Sequence, residues 1–199
     1  IFLRGKCASC KAPITVRYPM VELATAILFT VVIWHFGPTL QGAAALALTA
    51  VLIALTGIDA DHQLLPDTLT LPLLWAGVLV NLHDHFTDLT SSVLGAVFGY
   101  LILWTIYHLF RILTGKEGMG YGDFKLLAAL GAWMGWQMLP LIILLSSVVG
   151  AVVGIVLLGT GKMDRDKPMP FGPFIAAAGW IALIWGPQIV EHYTRSTFG

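Results

Sequence analysis

The chain has 199 residues, of which 57% are hydrophobic and 11% are charged, and its formal net charge is zero. Soluble domains carry about 25% charged residues, and apolar runs of near-bilayer length recur along this sequence, so an ordinary soluble domain is excluded. The zero net charge gives no support for a nucleic-acid partner. The composition predicts an all-α, polytopic membrane protein, a bundle of helices in a lipid bilayer.

The amino-terminal residues hold both cysteines of the chain. Cys7 and Cys10 form a CxxC pair among basic residues, and neighbouring positive charge favours thiolates that can bind zinc. Two thiolates fill half of a tetrahedral site, so zinc would need a second pair of ligands; the alternative is two thiols without a ligand role. The chain opens at Ile1 without an initiator Met. We expect residues 1–17 to be the remnant of a cytoplasmic CxxC loop and residues 18–199 to form the membrane domain.

Seven apolar segments follow, and they predict about seven membrane-spanning helices. Their approximate limits are 18–36, 41–58, 68–82, 93–113, 124–136, 139–158 and 174–190. Most approach the ~20 residues that a helix needs to cross a bilayer, and the fifth is short enough to be tilted or sunk below the membrane surface.

Acidic residues stand at the ends of two of these segments, one group after the second segment and one before the fifth. The residues of interest are Asp59, Asp61, Asp67, Gly120, Gly122, Asp123 and Lys125. An ionisable group at the mouth of an apolar segment is costly, so it indicates a functional site. The alternative for Asp123 is that it caps the helix beginning at Phe124, and the two roles are compatible. Asp67 fits the cap of the third helix.

The basic residues predict the orientation of the segments. Lys and Arg cluster before the first segment, around the glycine-rich stretch 118–122, and before the seventh segment. All three clusters lie on one side if the segments alternate across the membrane, and positively charged loops remain in the cytoplasm. We therefore expect both acidic groups at the cytoplasmic face.

Two carboxyl groups delivered to one membrane face by different helices predict aspartyl chemistry. If Asp59 and Asp123 come together they share a proton, because two adjacent carboxylates cannot both ionise cheaply. The ionised group takes a proton from a water that attacks a peptide carbonyl, while the protonated group donates to the carbonyl oxygen. Asp61 competes with Asp59 for the first position.

These residues resemble the bacterial type IV prepilin leader peptidases, membrane aspartyl proteases of the GxGD group. The resemblance rests on Asp59-Ala60-Asp61, Leu65-Pro66-Asp67, the stretch 120–125 and Pro170-Phe171-Gly172-Pro173. It implies that Asp59 and Asp123 are the catalytic pair, with the other motif residues in support. It further implies that prepilins and pseudopilins of type IV pili and type II secretion are cut after a glycine, at the cytoplasmic side of the bacterial inner membrane. Proteolysis of this kind needs no cofactor.

The resemblance also concerns sequence that this chain does not contain. The family usually has one more transmembrane helix and a first CxxC upstream, where we expect the missing zinc ligands. Family members commonly methylate the new amino terminus with S-adenosylmethionine, an activity we assign to the full-length protein. Two alternatives from other classes remain open: a proton-coupled transporter or channel, which also places aspartates in glycine-broken helices, and a non-catalytic membrane protein of a secretion apparatus.

Overall fold

The structure is a computed structural model that describes residues 9–10, 15–115, 119–160 and 169–198. Within these ranges it contains helices and turns but no strand. The helices are α1 (Arg17–Phe36), α2 (Leu40–His62), α3 (Asp67–Val80), α4 (Leu89–Thr114), α5 (Tyr121–Met134), α6 (Leu139–Gly159) and α7 (Gly172–Phe198). Short 3-10 turns, Asn81–His83 and Trp136–Met138, follow α3 and α5. The all-α prediction is confirmed.

Five helices of the described chain are long and apolar enough to cross a membrane, namely α1, α2, α4, α6 and α7. Helices α3 and α5 have 14 residues each, fewer than the ~20 that a crossing needs. The predicted count of about seven spans is therefore somewhat high. The predicted segments 68–82 and 124–136 are already this short, so the excess comes from counting short apolar segments as spans. Asn81 and Gly135 are the residues at which α3 and α5 end. Gly135 has a φ of 84°, a left-handed conformation in which a helix readily ends at glycine.

The chain forms two compact units, residues 1–49 and 50–199. In the first unit, α1 exposes nearly all of its side chains, and Val32 is its one buried residue. An apolar helix with so much exposed surface is suited to contact with lipid.

Helix α5 is the centre of the second unit. From Phe124 to Met134 every residue is buried except Lys125, which is partly exposed. The helix packs against α3, α4 and α7. Gly95 of α4 and Gly131 of α5 bring two backbones together, because a Cβ on either residue would overlap the main chain of the other. Small residues of this kind allow close helix packing within a membrane.

Contacts at both ends of α5 give the directions of its neighbours. Lys125, near the start of α5, pairs with Asp67 at the start of α3, and the side chain of Asn81, after α3, binds two carbonyls at the end of α5. Helices α3 and α5 therefore run in the same direction. Helix α4 runs antiparallel to α5, with Gly99 against the Leu127 carbonyl. The first residues of α3 and α5 consequently lie at one end of the unit.

At the opposite end of the second unit, a buried asparagine joins the end of α5 to the turn between α3 and α4. Asn81 is 0% exposed, and its Nδ2 donates to the carbonyl oxygens of Ala132 and Trp133, both at 2.9 Å. Its Oδ1 accepts hydrogen bonds from the N–H groups of Phe86 and Thr87 at 3.0 and 3.3 Å. Both donors and the acceptor of the amide are thus used, as its burial requires.

The indole of Trp133 fills a gap between α5 and α3. Its Nε1 donates to the Leu73 carbonyl at 2.8 Å. A Cβ on Gly77 would lie 2.5 Å from the indole Cδ1, so the ring fits there because residue 77 has no side chain. The ring thereby buries its large apolar surface and satisfies its polar N–H.

We expect Asn81→Ala to lower the free energy of unfolding by about 2–4 kcal/mol, because it leaves buried carbonyl and N–H groups without partners. The measurement is denaturant or thermal unfolding of the purified protein in detergent. Thr194→Ala is the matched control, since Thr194 is exposed and bonds only to carbonyls of its own helix among the contacts recorded for it. Equal stability of the two variants would contradict the role of Asn81.

Candidate active site

A cleft of about 490 Å³ lies at the end of the second unit where α2 ends and α3, α5 and α7 begin. Polar groups from three of these helices line it, together with apolar side chains from the segment before α7. Its ionisable residues are Asp59, Asp67, Asp123 and Lys125. Gly120 and Gly122 line it as well, so the structure brings together six of the seven residues that the sequence selected for a site.

Asp59 lies in the last turn of α2 and is only 5% exposed. Its Oδ2 accepts the backbone N–H of Gly172 at 3.0 Å, from a residue 113 positions away in the chain. Gly172 is the first residue of α7, where the free N–H groups and the helix dipole favour a negative charge. A Cβ on Gly172 would lie 2.6 Å from the same carboxylate oxygen, so this close approach requires glycine.

Asp123 is the third residue of α5 and is also 5% exposed. Its Oδ2 accepts the N–H of Gly120 at 3.1 Å. Burial, together with the nearby charge of Asp59, raises the pKa of Asp123 to about 7, against the lowering effect of the Gly120 hydrogen bond. The carboxyl group therefore exchanges its proton near neutral pH.

Asp123 does contact the start of its helix, as the capping alternative expects, but it is not the N-cap residue itself. The helix begins at Tyr121, three residues earlier than expected, and Asp123 reaches back to the residue before it. A helical acid that accepts the N–H of the N-cap residue supplies half of a capping box. The same carboxyl group lines the cleft, so the capping contact and the position in the site coexist.

An aromatic cluster supports the start of α5 beneath Asp123. Tyr107 of α4 is 2% exposed, and its ring lies 5.4 Å from Tyr121 and 5.6 Å from Phe124, measured between centroids. Tyr121 and Phe124 are also 5.4 Å apart. Ring pairs at these separations are attractive, so the cluster fixes the first turn of α5 against α4.

The turn between α2 and α3 is held by contacts with two glycines. Leu65 is 5% exposed, and a Cβ on Gly122 would lie 2.6 Å from the Leu65 Cβ. A Cβ on Gly172 would lie 3.1 Å from Leu65 Cδ1. Gly122 therefore allows the turn to lie directly on α5, a role that the sequence did not specify.

The two remaining acids of the first group differ from each other. Asp67 does not cap α3: Pro66 is the N-cap residue, and the Asp67 carboxylate pairs with Lys125 at 2.5 Å. The predicted cap is therefore wrong, because the ammonium group of a neighbouring helix lies within reach. Asp61 lies in the last turn of α2, is exposed, and is not among the residues that line the cleft.

Sequence reasoning missed the contributions of Gly172 and Leu65 to this cleft. The motif at 170–173 was recognised only as part of a family pattern. Its glycine between two prolines, ahead of an apolar segment, is a typical helix start, and a free N–H there is the signal that predicts an anion-binding position. Nothing local indicates which carboxylate occupies it.

The proposed zinc ligands belong to the amino-terminal part of the chain, in the first unit. Cys10 is exposed, and Cys7 lies outside the described residues. Among the residues that the structure describes, no group of three or more His, Cys, Asp and Glu side chains is arranged to hold a metal ion. A zinc site at the CxxC pair would therefore need ligands from outside the described residues.

Comparisons with known protein families agree with the motifs. Residues 46–155 match the model of the type IV leader peptidase family, which covers more than half of the chain and includes Asp59 and Asp123. Residues 1–36 match the model of the bacterial Peptidase A24 N-terminal domain. No solved structure matches the chain.

Several curated proteins are similar over nearly the whole chain. The prepilin leader peptidase/N-methyltransferase of Pseudomonas aeruginosa is 60% identical over 193 residues, which are 97% of this chain and 67% of that protein. Proteins of the same name from Aeromonas hydrophila and Xanthomonas campestris are 58% and 49% identical, over 97% and 98% of this chain and 67% and 68% of their own lengths. The chain thus spans about two thirds of these relatives.

The matches favour neither the transporter nor the scaffold alternative. The family model and the relatives point to an enzyme, and the matched residues include both acidic motifs. Because the family model covers more than half of the chain and a relative is 60% identical over nearly all of it, this chain belongs to the type IV leader peptidase family, which is a family of proteases.

Proposed function

We propose that the chain is a membrane-embedded aspartyl endopeptidase that removes the leader peptides of type IV prepilins and pseudopilins. The observation that carries this proposal is the pair of buried carboxyl groups, Asp59 and Asp123, which line one cleft and each accept one backbone N–H. The names of the relatives, prepilin leader peptidases, support the substrate class. Cleavage follows a glycine that precedes the hydrophobic segment of the substrate.

In this mechanism Asp123 is the acid and Asp59 the base. Asp123 has a pKa of about 7, so a substantial fraction is protonated at neutral pH and can donate to the carbonyl oxygen of the scissile peptide. The charge of Asp59 is stabilised by the N–H of Gly172 at the start of α7. The Asp59 carboxylate takes a proton from the attacking water. The water oxygen bonds to the carbonyl carbon. Collapse of the tetrahedral gem-diol then returns one hydroxyl proton to Asp123 and breaks the C–N bond, while the proton on Asp59 passes to the leaving amine. Both carboxyl groups thereby regain their starting protonation states.

The cleft is suited to an extended peptide next to a hydrophobic segment. Met169 and Phe171 line one side, while the charged pair of Lys125 and Asp67 lines another. A substrate whose scissile bond lies beside its membrane segment presents polar backbone and apolar side chains together. The mixed lining supports such a substrate.

Methyl transfer is an activity that we assign to the longer protein. The relatives are also named N-methyltransferases, and S-adenosylmethionine would supply the methyl group. Zinc, if bound, would be held by Cys7 and Cys10 together with ligands from outside the described residues. Neither group takes part in the proteolytic steps given above.

We further propose that the cleft faces the cytoplasm of a bacterial cell, in the inner membrane, with residues 1–17 as a cytoplasmic loop before a protease domain of residues 18–199. In this proposal the short helices α3 and α5 also cross, through a locally thinned bilayer. When successive helices alternate in this way, the clusters of Lys and Arg fall on the same side as both catalytic acids, which supports the cytoplasmic orientation. The parallel directions of α3 and α5 agree with such alternation.

We expect Asp59→Asn and Asp123→Asn each to lower kcat for prepilin cleavage by at least about 10²-fold, because an amide neither accepts nor donates the required proton. The double variant should be no slower than the slower single variant, since the two groups act as a unit. The assay is formation of the shortened prepilin by the protein in detergent or lipid. Asp61→Asn is the control and should have a mild effect.

Two outcomes of this assay would count against the assignment. If Asp61→Asn is inactive while Asp59→Asn cleaves, the pair is Asp61 with Asp123. If both Asp59→Asn and Asp61→Asn cleave at nearly the wild-type rate, the aspartyl mechanism is wrong.

We expect Gly172→Ala to lower kcat by about 10- to 100-fold, because its Cβ would displace the Asp59 carboxylate from its donor. Gly154→Ala in α6 is the control, since the nearest atom to its added Cβ, Met169 Cε, would be at an ordinary 3.6 Å. Both variants are compared for cleavage rate and for thermal stability in detergent. Full activity of Gly172→Ala would show that Asp59 does not depend on this close approach.

We expect cysteines that replace two leucines, one on each side of the membrane, to react with an impermeant reagent from opposite sides. Leu64 and Leu82 are similarly exposed, at 59% and 53%, in the connections before and after α3. In a protein with Cys7 and Cys10 replaced by Ser, Leu64→Cys should react with an impermeant maleimide only in inside-out vesicles, and Leu82→Cys only in right-side-out vesicles. The reverse pattern would contradict the cytoplasmic orientation.

A further inference from the structure

An ion pair connects α3 with α5 beside the catalytic carboxyl groups. Lys125 Nζ lies 2.5 Å from Asp67 Oδ1, and the two residues are 58 positions apart in the chain. Lys125 follows Asp123 by two residues, and Asp67 follows Asp59 by eight. The ion pair therefore joins the two segments that carry the two acids.

The chain leaves helical structure between the end of α2 and the start of α3. Helix α2 ends at His62, and Gln63 takes a left-handed conformation with a φ of 53°. Leu65 then lies on α5, and Pro66 precedes the first turn of α3. The segment is thus fixed at Leu65 by packing and at Asp67 by the ion pair.

The position of Asp59 depends on such local contacts. Among the described helices, the backbones of α3 and α4 approach α5 closely, whereas α2 is not among the closely packed pairs. The carboxylate of Asp59 is held by the N–H of Gly172, and its helix continues directly into the Leu65 turn. Movement of this turn would therefore change the separation between Asp59 and Asp123.

We propose that the Lys125–Asp67 ion pair is a positioning clamp that keeps the turn between α2 and α3 against α5, and with it Asp59 beside Asp123. This inference rests on the proposed proteolytic function. Lys125 and Asp67 are positioning residues, since they act through the turn and not on the scissile bond.

The exposure of the pair indicates what its loss would change. The side chains of Lys125 and Asp67 are 26% and 55% exposed, and an exposed pair contributes little to global stability because water and salt screen it. Misplacement of a catalytic group, by contrast, slows chemistry strongly. Removal of the pair is therefore expected to lower kcat while the unfolding transition stays nearly unchanged.

The experiment compares Lys125→Ala, Asp67→Ala and the exchanged pair Asp67→Lys with Lys125→Asp. We expect each single variant to lower kcat for prepilin cleavage by about tenfold or more, with KM within about twofold of wild type. The exchanged pair should recover most of the lost kcat. Recovery should be incomplete, because a Lys at the first residue of α3 is opposed by the helix dipole.

The matched control is the ion pair between Arg195 and Glu191, which has the same 2.5 Å separation but lies on the exposed surface of α7. Glu191→Ala should leave kcat and KM unchanged. A second measurement does not depend on cleavage: amide hydrogen exchange of the peptide 63–69 should accelerate in both single variants and slow again in the exchanged pair.

The outcomes separate the clamp from its alternatives. If Lys125→Ala raises KM while Asp67→Ala is fully active, Lys125 binds substrate and the clamp is wrong. If the exchanged pair is as slow as the single variants and its exchange stays fast, the clamp is also wrong. If wild type cleaves no prepilin, the proposed function fails, and the hydrogen-exchange result still decides whether the ion pair holds the turn.

Discussion

The second unit buries two carboxyl groups, and it must supply hydrogen-bond donors in place of the water that they lose. Burying a charge costs several kcal/mol unless nearby donors replace the lost water. Asp59 and Asp123 each receive one backbone N–H, from Gly172 and Gly120. Such donors are available where helices start, so the beginnings of α5 and α7 must meet the end of α2. The packing of α2, α5 and α7 is therefore fixed by the same contacts that form the proposed catalytic site.

The same requirement explains how glycine is distributed along the second unit. At the cleft, Gly122 and Gly172 let the Leu65 turn and a carboxylate approach the backbone directly. Along α5, Gly131 does the same for α4, and on α3 Gly77 makes room for an indole. Side chains at these positions would separate the helices by more than the hydrogen bonds at either end can tolerate. Close backbone packing thus fixes the distance across which polar groups meet.

Much of this organisation could be predicted from the sequence, and the remainder involves distant partners. Hydropathy indicates seven helices in their order, and the acids at segment ends mark Asp59 and Asp123 as candidates. Local patterns carry no information on which carbonyls Asn81 binds, or that Asp67 pairs with Lys125 instead of capping its own helix. These contacts join residues 51 to 58 positions apart. The predicted number of spans was too high because the segments 68–82 and 124–136 were taken as crossings, although the helices they form, α3 and α5, have only 14 residues each.

The shortness of α3 and α5 has a consequence for the surrounding lipid. Fourteen residues of helix extend about 21 Å, against a hydrocarbon thickness of about 30 Å. Helix α5 is enclosed by its neighbours, but where the exposed apolar side chains of α3 face lipid, the bilayer must thin or its headgroups must dip toward the cleft. Such a depression brings water to the buried acids without opening the helix bundle. For the proposed peptidase, it would also let a peptide bond at the edge of a substrate's transmembrane segment reach them while that segment stays in the lipid. Hydrophobic mismatch then makes acyl-chain length a determinant of how the site is hydrated.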